Sequence, residues 1–280
     1  MKYLKYAPPS HLAPYIKCYW SLSNSSEVEG ANQKQFLTEG GVEMVFNLGG
    51  RFTVINGHSV FENHNRVFAI GPMTKAQCGY ADGKCHLFGV CFMPGGVTAF
   101  LSSPMRELAD CCIDAEALWG SMVKRLDASL HDKPDYIQAK LDILNRFFES
   151  QIVWQSPEYK LLSISMQMIR RSSGKIPIAM LARRLTIGQR RLERIFQKMV
   201  GISPKKMSRI FRIKNAMSCI TEPSFDGWAG LAVDAGYFDQ AHFINEFKMV
   251  TGSTPASCKD LAMLGRFEPI EMDNSSEQQK

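Results

Sequence analysis

FQKMVGISP, residues 196–204, returns as FKMVTGSTP, residues 247–255, with Phe196, Gly201 and Pro204 matched by Phe247, Gly252 and Pro255. Leading into and through the first copy, Leu192, Ile195, Phe196, Met199 and Val200 fall at i, i+3, i+4, i+7 and i+8 and share one helix face. Gly201 follows the last of them, where helices commonly stop in the left-handed conformation. Ser203-Pro204 then supplies an N-cap and a first-turn proline for a new helix. Phe243, Phe247, Val250, Gly252 and Thr254-Pro255 do the same in the second copy. The nonapeptide therefore encodes a helix end, a stop and a restart.

Further upstream, Ile178, Leu181, Ala182 and Leu185 are matched at i, i+3, i+4 and i+7 by Trp228, Leu231, Ala232 and Ala235. The offset between copies grows from 50 to 51 residues across the turns TIGQ (186–189) and GYFDQ (236–240). The second turn is thus one residue longer. Each unit is a short apolar-faced helix, a tight turn and a longer apolar-faced helix, which is a helix-turn-helix written twice.

The polar face of each longer helix is the candidate reading surface. The first carries Arg190, Glu193, Arg194 and Gln197, with Lys198 at the edge. Arginine reads guanine in the major groove, and glutamate accepts from cytosine N4. The second carries Ala241, His242, Asn245 and Lys248, with Gln240 at its entry. Asparagine and glutamine pair with adenine, and alanine touches the thymine methyl. Residues 204–220 read as one connecting helix with Lys205, Lys206, Arg209 and Arg212 placed for phosphates, which set register but carry no sequence information.

Charge supports this partner. Residues 160–215 hold fifteen Lys or Arg and one acid, a net +14, whereas 1–159 carry −2 and 216–280 carry −6. So concentrated a positive field attracts phosphate polymers. A merely solvated basic face is the bland alternative, and the duplication argues against it.

LARRLTIGQRRLERIFQKMVGISPKKMSRIFRIKNA (181–216) and LAVDAGYFDQAHFINEFKMVTGSTP (231–255) resemble the AraC/XylS family of bacterial transcription regulators. The resemblance implies base reading by Arg190, Glu193 and Arg194 in one unit and by Gln240, Ala241, His242 and Asn245 in the other. From the charge and helix faces, Lys198, Lys205, Lys206, Arg209 and Lys248 are the candidate phosphate contacts. Three positions depart from the family: Asn245 replaces a usual basic residue, Gly188 a capping serine, and Thr186 a glycine or alanine.

The first hundred residues read as short strands, at 43–50, 51–57, 66–72 and 86–96, closed by Gly, Asn or Pro. Helices are expected at 115–130 and 134–150, the second with Ile137, Leu141, Leu144 and Phe148 as its stripe. HLAPYIKCYWSL, LTEGGVEMVFNLGG and LFGVCFMPGGVTAFLSSPMRELAD resemble the cupin-like sensory domain of a subgroup of the same regulators, which often shows P-D-G where this chain has Thr38-Glu39-Gly40. The expected fold is α+β in two domains: a cupin-like antiparallel β-domain with helices (1–150), a linker (151–158), an all-α double helix-turn-helix domain (159–262) and a disordered tail (263–280).

The expected function is a cytoplasmic, effector-responsive regulator, an activator rather than an enzyme, that needs no cofactor or metal. Double-stranded DNA is the main partner; RNA polymerase, a small-molecule effector and a second copy of the chain are further candidates. No apolar run of eighteen residues is present to span a membrane, and the proline-interrupted N-terminus does not read as a signal peptide. The rival reading is a metal- or thiol-dependent sensor or cupin-type enzyme. His58, Glu62, His64 and His86 have the wrong spacing for a cupin metal site, and Cys78, Cys85 and Cys91 read more simply as small core hydrophobes. Cys85 and Cys91, six apart, fall on one strand face. Trp20, Phe46, Phe88, Phe92 and Phe100 are candidate pocket walls, with plain core packing the simpler role.

The repeat makes Phe196 an internal anchor. Phe196→Ala is expected to lower stability by about 3–5 kcal/mol, read as a lower melting midpoint without DNA; an unchanged midpoint contradicts the assignment of this face.

Overall fold

The structure is a computed structural model and describes residues 2–24, 32–56, 59–64, 67–101, 104–132, 136–152, 156–222, 225 and 227–263. His58, the middle of the expected linker and the expected tail from 264 onward lie outside the described residues.

Among the described residues eight strands form one antiparallel sheet: β1 (Lys2–Tyr6), β2 (Ile16–Asn24), β3 (Asn32–Phe36), β4 (Glu43–Asn56), β5 (Ser59–His64), β6 (Val67–Ile70), β7 (Gln77–Phe92) and β8 (Cys112–Asp114). The main order is β1-β2-β7-β4-β6-β8, with β3 beside β7 and β5 beside β4. β4 and β7, of 14 and 16 residues, are the spine, and shorter strands share the outer edge of each. The expected strands at 43–50 and 51–57 are therefore one strand. Its register shifts between Asn47 and Arg51, and Asn47 stitches this bulge by donating to the Gly50 carbonyl (2.9 Å) and accepting from the Gly49 N–H (3.1 Å). Gly-Gly read as a terminator is here a bend within a strand. The strand expected at 86–96 begins earlier, at Gln77.

Alternate residues of the spine feed different cores, as a period of two requires. Met44, Phe46, Phe88, Val90 and Phe92 pack with Leu126, Leu144 and Phe148. These last lie on α3 (Met122–His131) and α4 (Ile137–Gln151), preceded by the short α1 (Met105–Leu108) and α2 (Glu116–Trp119). The single helix expected over 115–130 is broken at Gly120, whose φ of 62° is left-handed. The aromatic group proposed as pocket walls is also divided. Phe46, Phe88, Phe92 and Phe100 belong to this helix-backed core, whereas Trp20 faces the other side of the sheet.

On that other side, Cys18, Trp20, Val45, Leu87 and Cys91 join a core that continues into the C-terminal helices. These are α5 (Pro157–Arg171), α6 (Ile178–Arg184), α7 (Gln189–Met199), α8 (Pro204–Thr221), α9 (Trp228–Asp234), α10 (Gln240–Thr251) and α11 (Pro255–Met263). The chain passes from α4 to α5 near the expected linker, but the packing does not stop there. The Ala76 N–H donates to the Val250 carbonyl at 2.7 Å, and the Tyr159 hydroxyl donates to the Pro14 carbonyl. Gly201, at φ 84°, lies so close to α1 that a Cβ there would stand 2.1 Å from the Met105 carbonyl oxygen.

A cluster of charge is trapped where the two regions meet. The Glu39 carboxylate contacts Lys17 Nζ (3.1 Å), Arg170 Nη2 (2.6 Å) and Lys214 Nζ (3.2 Å). Burial pushes Glu39 up, but Lys214, Lys17 and Arg170 outweigh it and bring the pKa to about 2. Burial lowers the pKa of Lys214, and the nearby Lys17 adds to the fall, although Glu39 pulls the other way. Glu43, buried at the start of β4, is raised to about 7 by burial, against the pull of Lys17 and Lys214.

The two carboxylates give opposite pH dependence. Glu39 stabilises fully above its ordinary value of 4.5, and this is lost as pH falls toward 2. Glu43 keeps its proton in the fold while the unfolded chain releases it, so stability declines as pH rises from 4.5 through 7. Glu43→Gln is therefore expected to match wild type near pH 4.5 and to exceed it at pH 8, by on the order of 3 kcal/mol at most. Denaturant unfolding at both pH values checks this; a difference independent of pH contradicts it.

Candidate nucleic-acid interface

The repeated nonapeptides fold as their residues dictate. Leu192, Ile195, Phe196, Met199 and Val200 are all buried, as are Phe243, Phe247 and Val250. Gly201 and Gly252 stop the two helices at φ 84° and 77°. Ser203 caps α8 by accepting from the Lys206 N–H (3.3 Å), and Thr254 accepts from the Ser257 N–H (3.3 Å). Four residues separate α6 from α7 and five separate α9 from α10, which is the extra turn residue read from the changing offset.

The turns differ in strain. Gly236 takes the left-handed position at φ 80°, and Thr186, its counterpart 50 residues earlier, does so at φ 55°. A β-branched side chain in this region costs roughly 1–2 kcal/mol. The helix starts differ as well. Asp239 caps α10 by accepting from the His242 N–H at 2.7 Å, whereas Gly188 begins α7 with no side-chain cap.

With their apolar sides fixed inward, the two longer helices turn their polar sides out. Arg190 and Arg194 are exposed, and Glu193, half-buried, accepts from Gln189 Nε2 at 3.0 Å. Gln240, Ala241, His242 and Asn245 are exposed together on α10. The His242 ring stands at right angles to Tyr237 with 5.2 Å between ring centres, and the Arg212 guanidinium lies 5.2 Å from the centre of the same Tyr237 ring. Each expected reading residue thus lies on an accessible helix face.

The phosphate candidates divide. Lys205, Lys206 and Lys248 are exposed. Lys198 is exposed but reaches Glu158 at 2.8 Å, a surface pair easily exchanged for another anion. Arg209 is tied down: its Nε lies 2.9 Å from Glu246, and Arg212 approaches the same carboxylate at 3.8 Å and donates to the Gly174 carbonyl at 3.2 Å. These two arginines brace α10 against α8. Arg183, Arg184 and Arg191, which no helix-face argument selected, are exposed and belong to the same positive field; a plain charge count over 160–215 includes them.

Residues 181–260 match a family model described as a helix-turn-helix domain. That segment is an AraC-type helix-turn-helix domain. Residues 4–114 match a second family model, described as a domain of unknown function. No curated protein matches the chain. Among solved structures, ToxT from Vibrio cholerae is similar over 86% of this chain and 98% of its own, at 12% identity and a TM-score of 0.46. The C-terminal domain of AraT, a response regulator from Geobacillus stearothermophilus, covers 44% of this chain and 98% of its own, at 20% identity and a TM-score of 0.35. The AraC-like transcriptional activator CuxR covers 78% and 94%, at 12% identity and a TM-score of 0.30. Likeness of this degree carries no functional argument.

Among the described side chains, which exclude those of His58 and His64, the metal and thiol candidates do not converge in the same way. Glu62 pairs with Thr53 of β4, whereas His86 pairs with Gly49. Among the described residues no three His, Cys, Asp or Glu side chains group as metal ligands. Cys85 and Cys91 are buried and Cys78 is half-buried. Cys91 faces Cys18 across β2 and β7, and its pKa is raised, first by its hydrogen bond to Cys18 and then by burial. Burial also raises Cys112 to about 12. Raised values keep the Cys91 and Cys112 thiols protonated, whereas the hydrogen bond to Cys91 lowers the pKa of Cys18. No described helix is long and apolar enough to cross a membrane.

Proposed function

We propose that this chain is a sequence-specific DNA-binding transcription regulator that places α7 and α10 in successive major grooves of one duplex. The observation that carries this reading is the pair of exposed polar faces, Arg190 with Arg194 and Gln240 to Asn245, each backed by a fully buried apolar stripe. α8, with 18 residues, is about 27 Å long. That length suits two helices entering grooves one turn, ~34 Å, apart.

The exposed lysines take the supporting role. Lys205 and Lys206 at the start of α8, Lys198 and Lys248 bind phosphates and hold register. Arg209 does so only after exchanging Glu246 for DNA. In the second unit the reading is by hydrogen bonds from Gln240, His242 and Asn245 and by Ala241 against a methyl group, with less electrostatic grip than the arginine face of the first. The β-domain receives a small-molecule signal and is the site of self-association. The regulator works in the cytoplasm as an activator, with RNA polymerase as its partner on DNA.

Arg194→Ala is expected to cost about 1–3 kcal/mol on a site selected from random DNA and to relax base preference at one position. Lys206→Ala should weaken all sequences alike and reduce the log-log salt slope by about one. Titrations on selected and random DNA across salt separate the two roles. Unchanged specificity in Arg194→Ala removes α7 as a reading helix. Equal slopes and affinities on both DNAs for wild type leave only non-specific binding.

A further inference from the structure

The β-domain touches both helix-turn-helix units at the places where their recognition helices end. At α7, Gly95 faces Met199 and Leu162, and Gly201 lies against the Met105 carbonyl. At α10, the Val250 carbonyl accepts from the Ala76 N–H, and the Thr251 carbonyl from Gln35 Nε2 at 3.4 Å. The same β-domain rim grips α8 between them. Gly40, at φ 81°, leaves room for Met207, whose Cε would stand 2.0 Å from a Cβ at that position. Thr38 ties the rim together by accepting from the Met73 N–H at 3.3 Å.

Glu39 sits in the middle of this rim, between Thr38 and Gly40. Its partners come from three places: Lys17 from β2, Arg170 from α5 and Lys214 from α8. Lys17, Glu39 and Lys214 side chains are 13–17% exposed, against 41% for Arg170. Glu43, Cys18 and Cys91 of the sheet border the same space. Removing one partner of a largely buried ionic cluster leaves the others uncompensated, so closure of this interface depends on the Glu39 charge.

We propose that Glu39 is the residue that couples the two domains: by drawing Lys17, Arg170 and Lys214 onto one carboxylate it holds the β-domain across the ends of both recognition helices and thereby sets the spacing at which they meet DNA. The spacing clause rests on the regulator reading above; the clamp does not. Glu39 is a positioning residue and touches no DNA itself.

The test compares the full-length wild type with Glu39→Gln, which keeps the shape and removes the charge. Amide hydrogen exchange comes first. Exchange at Ala76 and along Met207–Lys214 is expected to rise at least ~10-fold, while β6 and Leu192–Phe196 remain protected. Unchanged exchange at Ala76 overturns the clamp, and so does an equal rise throughout, which marks general loss of stability. Should Glu39→Gln fail to fold, Arg170→Gln removes only the outer cation and is expected to raise exchange at the same amides by a smaller factor; no rise there overturns the clamp.

DNA spacing comes second. On fragments selected with the wild type, moving the two contact clusters apart by one base pair is expected to cost wild type at least ~10-fold in affinity and Glu39→Gln less than ~3-fold. Equal losses in the two proteins overturn the spacing clause. A wild type with no sequence preference sinks the regulator reading, while the exchange result still decides the clamp.

Discussion

Met207, Ile210, Phe211, Ile213, Ala216, Met217 and Ile220 are all buried, and they point from α8 in more than one direction. A helix that is apolar on more than one side must lie inside a structure rather than on it. α8 therefore cannot be a simple tether between two helix-turn-helix units. Both units pack on it, the first through Gly174 against Ser208 and Arg212, the second through Glu246 against Arg209 and Arg212, and the β-domain rim meets it at Met207 and Lys214. The placement of α7 and α10 follows from the packing of this one helix. So does the charge problem at Lys214, because the helix that must be buried carries an ammonium into the interface. Glu39 answers that problem from the opposite domain.

What was legible in the sequence was local. The helix ends announced themselves because Phe, Gly and Pro recur at one offset, and the buried stripes because apolar residues keep a period near 3.6. The cap at Ser203 and the stop at Gly201 are likewise decided within a few residues. The β-domain was read less well. Gly49-Gly50 ends a strand in most sequences, and only the pairing of β4 with β7 on both sides of the bulge shows that the strand continues. Gly120 hid a helix break inside a periodic pattern for the mirror reason: its left-handed φ leaves no trace in hydropathy.

The interdomain contacts left almost no local signal. Glu39 and Lys214 are 175 residues apart, and no spacing rule connects them. The departure Thr38-Glu39-Gly40 was visible as a departure, but its meaning needed the cations of three elements. The same holds for Arg209 and Arg212, which count toward the positive segment and sit at phosphate-facing intervals. Glu246, on another helix, turns them into braces. Formal charge along a chain thus overstates the field available to DNA by the pairs that the fold makes, while Arg183, Arg184 and Arg191 show that it also contains charge that no motif singles out.

The central claim is that two recognition helices of one chain read one duplex in adjacent major grooves. Methylation interference at guanine N7, a major-groove atom, measures this on DNA selected with the full-length protein. The account predicts two clusters of interfering guanines or flanking base pairs, on one face of the duplex and about 10–10.5 base pairs apart. A single cluster, or protection confined to the minor groove and phosphates, contradicts it.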